Sequence, residues 1–132
     1  CDFRISNSPR IDILLLPGGL GTRKLLKNKK VLSWIRAQEN NSLLVSVCTG
    51  SLLLAAAGLL INKKAATHWS ASDLLKKINP STKVSKKRFV LDTIYSSSGV
   101  SAGIDLSLKI VEKYFGNQVL KNTLKYMEYK LF

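Results

Sequence analysis

Two short apolar runs, each followed at once by small residues, constrain the fold of this 132-residue chain more than any other feature. Residues 11–16 end at Pro17-Gly18-Gly19, and residues 43–47 end at Cys48-Thr49-Gly50. Nearly continuous apolar runs of this length predict β-strands that are buried on both faces, as in parallel sheets. Helical segments follow both runs. The order strand, helix, strand, helix predicts a parallel α/β fold.

Apolar residues at helical spacing and capping residues at segment ends predict five helices. These helices cover residues 31–40, 51–60, 71–78 and 104–115, and a last helix runs from 117 to about 129. Three further strands are predicted at 65–67, 88–92 and 94–97, the last two as a hairpin that turns at Asp92-Thr93. Since no linker or repeat divides the sequence, residues 1–132 are expected to form one domain.

The net charge of +13 would suit a nucleic-acid partner, but the distribution of the charges does not. The lysines occur as scattered pairs at the edges of apolar segments, without a stripe of arginines and aromatics or a helix-turn-helix pattern. We therefore expect a solvated, lysine-rich surface rather than a nucleic-acid partner, and we leave anion or nucleic-acid binding as the alternative. The longest apolar run, residues 52–61, is too short to cross a bilayer. No secretory signal opens the chain and two cysteines do not form a disulfide framework, so a cytoplasmic protein without a membrane partner is expected.

Cys48 is the sharpest candidate for chemistry in the sequence. A buried strand that ends in a nucleophilic residue, followed by small residues and a helix, has the layout of a nucleophile elbow. A cysteine at a helix N-terminus faces unpaired N–H groups and the positive end of the helix dipole, which favour the thiolate. An inert cysteine buried in the core fits the same spacing equally well, so the residues alone leave both interpretations open.

Gly18, Gly19 and His68 are expected at the same edge of the sheet as Cys48. The two glycines end the neighbouring strand, and their N–H groups, with that of Thr49, are placed to face an oxyanion unless they only form a turn. His68 is the only histidine and follows a predicted strand. It is either a base for Cys48 or a structural residue beside Trp69. One histidine and two separated cysteines argue against a metal site of the zinc type.

Four motifs, in this order along the chain, resemble the ThiJ/PfpI family. They are residues 11–19, residues 47–60, Ala66-Thr67-His68-Trp69 and residues 98–105. The resemblance implies a flavodoxin-like, three-layer α/β sandwich of the class I glutamine-amidotransferase type. It also implies that the first strand-helix unit of the family would precede residue 1, that Cys48 is the nucleophile, and that no cofactor is needed.

Within that family, Cys48-Thr49-Gly50, Thr67-His68-Trp69 and residues 126–129 resemble the isocyanide hydratases. These enzymes add water to a small isocyanide to give an N-substituted formamide. The resemblance implies that Cys48 attacks the isocyanide carbon to form a thioimidate, which water resolves. It implies that Thr49 holds substrate or water, and that Gly18, Gly19 and His68 line the pocket for this small-molecule substrate.

The resemblance also leaves one role unfilled and other functions open. The acid that partners the nucleophile in this family would precede residue 1, so either another polypeptide supplies it or the chain is an inactive truncated member. A sheet face without its helical layer predicts either poor solubility or a tight homodimer. The motifs around Cys48 and His68 also resemble the ligand-sensing half of AraC-type regulators, and the scaffold hosts protease and glyoxal chemistry as well.

Overall fold

The central sheet of the computed structural model, which describes residues 2–131, has four strands in the order β1-β2-β6-β5. They are β1 (Ile13–Leu16), β2 (Leu43–Val47), β5 (Phe89–Leu91) and β6 (Tyr95–Ser97). Strand β2 pairs in parallel with β1 on one side and with β6 on the other, whereas β5 is antiparallel to β6. The carboxyl ends of β1, β2 and β6 therefore meet at one edge of the sheet, where proteins of this architecture form their sites.

The described residues form five α-helices that cover both faces of the sheet. They are α1 (Gly21–Leu25), α2 (Lys29–Ala37), α3 (Ser51–Ala56), α4 (Ser72–Ile78) and α5 (Val100–Tyr126). Alternate residues of β2 face opposite sides: Leu44 packs in the core formed with α2, α3 and α4, and Val45 packs against Leu106 of α5. The fold is thus a mostly parallel, flavodoxin-like α/β sandwich of three layers, as the sequence predicts.

The helix that follows Cys48 is shorter than its apolar pattern predicts. It ends at Ala56, not at Leu60, because Gly58 takes a left-handed φ of 77°. The N–H of Gly58 donates to the Ala55 carbonyl and the next N–H, of residue 59, donates to the carbonyl of residue 54, both at 2.9 Å. This pair of bonds is a Schellman motif, which ends a helix while the chain remains apolar.

The third predicted strand does not join the central sheet. Strand β3 (Lys64–Ala65) pairs in parallel with β4 (Lys83–Val84) in a separate two-stranded sheet. The place beside β2 is occupied by β6, and a 2.8 Å bond from the Ala66 N–H to Ser96 Oγ attaches the small sheet to β6. The expectation that His68 follows a strand of the central sheet was therefore wrong.

Strand β1 is the edge of the sheet, and one of its faces is open. Leu14 and Leu16 are buried, whereas Ile13 and Leu15 are 40% and 44% exposed. The predicted burial on both faces holds for the central strand β2 but not for β1.

Helix α5 is interrupted at Gly116, where φ is 84°, so the predicted helix boundary there is confirmed. Among residues 2–131, no helix has the length and apolar character needed to cross a membrane.

Candidate functional site

Cys48 lies at a sharp turn between β2 and α3, and its own backbone is left-handed. Val47 is still extended (φ −119°, ψ 133°), Cys48 has a φ of 58°, and the chain then enters a short 3-10 helix that leads into α3. A left-handed φ costs a residue other than glycine about 1–3 kcal/mol and persists only where surrounding contacts impose it. The thiol itself is half-buried. Cys48 is thus held in a strained turn without being packed away in the core.

Hydrogen bonds to both backbone groups of Cys48 hold this turn. Its N–H donates to the carbonyl oxygen of Ser98, which follows β6, at 3.0 Å. The hydroxyls of Ser51 and Thr67 each lie 3.1 Å from the Cys48 carbonyl oxygen and 2.8 Å from each other. One hydroxyl donates to the carbonyl while the other donates to its neighbour. Three separate segments therefore fix the orientation of the Cys48 peptide groups.

Two glycines allow the first and second strands to approach each other at the turn. A Cβ on Gly50 would lie 2.0 Å from the carbonyl oxygen of Leu16, so no side chain fits there. A Cβ on Gly18 would lie 2.7 Å from Cys48 Cβ, 3.0 Å from Cys48 Sγ and 2.9 Å from the Thr49 nitrogen. The bare face of Gly18 is consequently what leaves room above the thiol, next to the backbone N–H of Thr49.

The side chain of Thr49 connects the turn after β2 to the loop after β1. Its Oγ1 accepts a 2.9 Å hydrogen bond from the Gly19 N–H and lies 3.2 Å from the Thr22 hydroxyl. Thr22 in turn donates to the Gly19 carbonyl at 2.8 Å. Thr49 is only 5% exposed. In this conformation the Gly19 N–H is already engaged, and Thr49 acts on the loop that carries Gly18 and Gly19.

His68 lies at the same edge of the sheet but makes no hydrogen bond to Cys48. Its Nδ1 is 2.8 Å from the Ser70 hydroxyl and accepts a 3.4 Å bond from the Ser70 N–H. The opposite side of the ring faces Gly99, where an added Cβ would lie 3.3 Å from Cδ2. The ring also lies beside Trp69, with centroids 5.4 Å apart. His68 therefore borders the site next to the start of α5.

No carboxylate among the described residues contacts the Cys48 thiol, although all eight acidic residues of the chain are described. The most buried one, Asp105, is bonded to the Arg88 guanidinium and accepts a 2.8 Å bond from the Tyr129 hydroxyl. The hydrogen bond to Asp105, together with burial, raises the pKa of Tyr129 above its ordinary value of 10.0. Residues 2–131 also contain no cluster of three histidine, cysteine or acidic side chains that would hold a metal ion.

A cleft of about 450 Å³ opens beside the Cys48 turn. Its lining residues do not include Cys48, but they include Thr67 and Ser98, which bond the Cys48 backbone, and Gly99, which faces His68. Lys76, Lys86, Lys87, Trp69 and several serines form the rest of its wall. The cleft thus begins at the supports of the thiol and extends away from it between α4 and the segment that joins β4 to β5.

Sequence reasoning brought Cys48, Thr49, Gly18 and Gly19 together at one edge, and the structure places them in contact. It missed the supporting hydroxyls. These hydroxyls belong to Thr22, Ser51 and Thr67, and the supporting carbonyl of Ser98 was missed as well. Thr22 lies in a basic segment without an apolar pattern, and the pairing of Cys48 with Ser98 depends on β6 lying next to β2. No local signal in the sequence announces either contact.

The sequence model of the DJ-1/PfpI family matches residues 2–113 of the chain. The isonitrile hydratase of Pseudomonas putida is 37% identical over 123 residues, which are 92% of this chain and 53% of that protein. The HTH-type transcriptional regulator GbdR of Pseudomonas aeruginosa is 29% identical over 120 residues, 89% of this chain and 32% of the regulator. The chain thus spans about half the length of the hydratase and about a third of the regulator.

The fold is also similar to that of solved structures. A ThiJ/PfpI family protein from Pseudomonas syringae superposes with a TM-score of 0.88 at 31% identity, over 96% of this chain and 53% of that protein. The region of similarity includes both the central sheet and the Cys48 turn, since it covers almost all of the chain.

Proposed function

Because the chain belongs to the DJ-1/PfpI family, we propose that it carries the nucleophile of a cofactor-free isocyanide hydratase, with Cys48 as that nucleophile. The observation that carries the proposal is the strained, half-buried position of Cys48 against the bare face of Gly18. The 37% identity to an isonitrile hydratase supports the choice of substrate. This chain spans about half the length of that hydratase.

The proposed reaction adds one water to the isocyanide in two stages. The Cys48 thiolate attacks the terminal carbon and forms an S–C bond, and a proton reaches that carbon to give a thioimidate. Water then adds to the same carbon and the nitrogen takes a proton. The S–C bond breaks with its electron pair returning to sulfur, while the added hydroxyl releases its proton to solvent and becomes the formamide carbonyl. The products are an N-substituted formamide and the free thiolate.

We assign the neighbouring residues their roles in the proposed reaction from the contacts that they make. The Thr49 N–H lies beside the Gly18 face and is a donor for charge that develops on the substrate. The Thr49 hydroxyl positions the Gly19 loop, and Gly18 leaves space for the substrate above the sulfur. His68 borders the pocket without acting on the thiol directly. No described carboxylate is hydrogen-bonded to the Cys48 thiol, so in this chain the proton reaches the substrate from solvent water.

Conversion of phenyl isocyanide to N-phenylformamide tests this proposal. The chain is compared with C48A and with C1A, which removes the other cysteine. Formamide production by the chain and by C1A, with an adduct mass on the Cys48 peptide and none in C48A, is the expected result. Equal production by C48A and the unaltered chain would refute the role of Cys48. Absence of both product and adduct would refute the choice of substrate.

A ligand-sensing role is the second candidate, favoured by the match to a transcriptional regulator over 89% of the chain. A sensor binds a small molecule at the same edge of the sheet without converting it to a product. Saturable binding of an isocyanide that leaves the compound unchanged, and that persists in C48A, would favour this function.

For either function we propose a cytoplasmic homodimer that covers the open face of β1.

A further inference from the structure

The cleft beside Cys48 has a strongly positive wall. Lys76 on α4 and Lys86 and Lys87 before β5 line it, and no carboxylate does. Among residues 2–131 none of these three lysines forms an ion pair, because the four ion pairs there involve other cations. Charges of one sign around a concave surface raise the local potential and concentrate ions of the opposite sign.

We propose that this cleft is a subsite for the anionic end of an aromatic substrate, such as an aryl carboxylate, an inference that rests on the proposed function of Cys48. The cleft volume of about 450 Å³ is that of a site for one small molecule. A lysine ammonium binds a carboxylate as a point charge and needs no fixed geometry, which suits three flexible side chains on two segments.

An aromatic ring completes the recognition surface. Trp69 lines the cleft and is 83% exposed, which is unusual for so large an apolar side chain. Its ring offers a flat face against which an aromatic ligand stacks. The Ser72 hydroxyl lies on the same wall and can donate a hydrogen bond to a carboxylate. Ring, hydroxyl and ammonium groups together match an aromatic acid better than a neutral alkyl ligand.

The cleft lies next to residues that bond the backbone of Cys48. Thr67 lines the cleft and lies 3.1 Å from the Cys48 carbonyl, and Ser98 lines it and accepts the Cys48 N–H. A ligand that spans the cleft from the lysines to Thr67 and Ser98 would reach the residues that support the Cys48 turn. The anionic end would select the substrate, while the reacting carbon lies at the other end of the molecule.

Binding of benzoate, followed by nuclear magnetic resonance, tests the subsite without requiring turnover. The indole N–H signals of the two tryptophans are recorded in a ¹⁵N-labelled chain titrated with benzoate or with neutral benzamide at low salt. Benzoate should shift the Trp69 signal saturably, while Trp34, away from the cleft, serves as the internal reference. Affinity for benzoate should fall about tenfold in K86Q/K87Q and remain unchanged in K29Q/K30Q, which removes the same charge elsewhere.

Equal shifts with benzamide, or full benzoate affinity in K86Q/K87Q, would overturn the subsite. Turnover of phenyl isocyanide and 4-isocyanobenzoate then separates the two proposals. A faster reaction of the carboxylate compound, with a preference that K86Q/K87Q abolishes, supports both. Hydration of both compounds at equal rates keeps the proposed function and rejects the subsite. Selective benzoate binding without any hydration keeps the anion site and rejects the hydratase function.

Discussion

The Oγ1 of Thr49 accepts a 2.9 Å hydrogen bond from the backbone N–H of Gly19 and so joins the turn after β2 to the loop after β1. The two residues are 30 positions apart in the sequence. Because Thr49 is buried, its hydroxyl holds the Gly19 loop in position and has little contact with bulk solvent. Through this contact the residue after Cys48 holds the loop that borders the thiol.

Removal of the Thr49 hydroxyl should loosen the loop that carries Gly18. The T49V variant keeps the shape of the side chain but leaves the Gly19 N–H without its acceptor, at a cost of about 1–2 kcal/mol in the free energy of unfolding. Alkylation of Cys48 by iodoacetamide should slow as well. T49S, which retains the hydroxyl, should restore both urea stability and alkylation rate. Equal behaviour of T49V and T49S would contradict a role of this hydrogen bond in stability and in access to Cys48.

A side chain at position 18 should block the thiol. In G18A the new methyl group falls 3.0 Å from Cys48 Sγ, so the sulfur must move or become covered. We expect alkylation of Cys48 to slow at least about tenfold while the circular dichroism spectrum stays that of a folded protein. G21A is the matched control, since an added Cβ there contacts nothing within 4 Å. Unchanged alkylation in G18A would show that the reagent approaches the sulfur from another side.

A side chain at position 50 should affect stability more than access. The added Cβ of G50A would lie 2.0 Å from the Leu16 carbonyl oxygen, which belongs to the backbone of β1 and moves only with the strand. The free energy of unfolding should fall by about 3 kcal/mol, measured by urea denaturation against G21A. A G50A protein as stable as G21A would mean that β1 and the turn are not held as close as described.

Tyr129 should make a stability contribution that depends on pH. Its hydrogen bond to buried Asp105 raises its pKa above 10.0 in the folded state. A raised folded-state pKa means that the contribution is fully present below pH 10 and is lost as the pH rises through the folded-state value. The urea midpoint of Y129F should therefore lie below that of the unaltered chain at pH 8, and the difference should shrink above pH 10. Y126F, at an exposed tyrosine, is the control. A difference that stays constant across this range would contradict the assigned hydrogen bond.

The periodicity of the sequence predicted most of the fold because the relevant signals are local. The apolar run before Cys48, the hairpin at residues 88–97 and the helix end at Gly116 all follow from residues close in sequence. The pattern failed where an outcome depends on a partner from elsewhere in the chain. The segment at Lys64–Ala65 reads as a strand, but which sheet it joins depends on the position taken by β6.

The candidate site shows the same division. The small residues Gly18 and Gly50 signal close approach, and Cys48 follows directly from its place after a buried strand. Helical spacing indicated one packed face formed by Ile104, Leu108, Val111 and Phe115. Leu108 is buried, but Ile104 and Phe115 are exposed, and the packing against the sheet comes from Leu106. A buried carboxylate bonded to Arg88 and Tyr129 cannot be inferred from apolar periodicity.

Competitive alkylation of the two cysteines of the folded chain tests the central claim most directly. The chain is exposed to limiting iodoacetamide near neutral pH, and the labelled fraction of each cysteine is measured by mass spectrometry, with the urea-unfolded chain as the reference. If the turn after β2 presents Cys48 as a nucleophile, Cys48 should be labelled well ahead of Cys1 in the folded chain, and this preference should disappear on unfolding. Cys48 that reacts more slowly folded than unfolded would contradict the account.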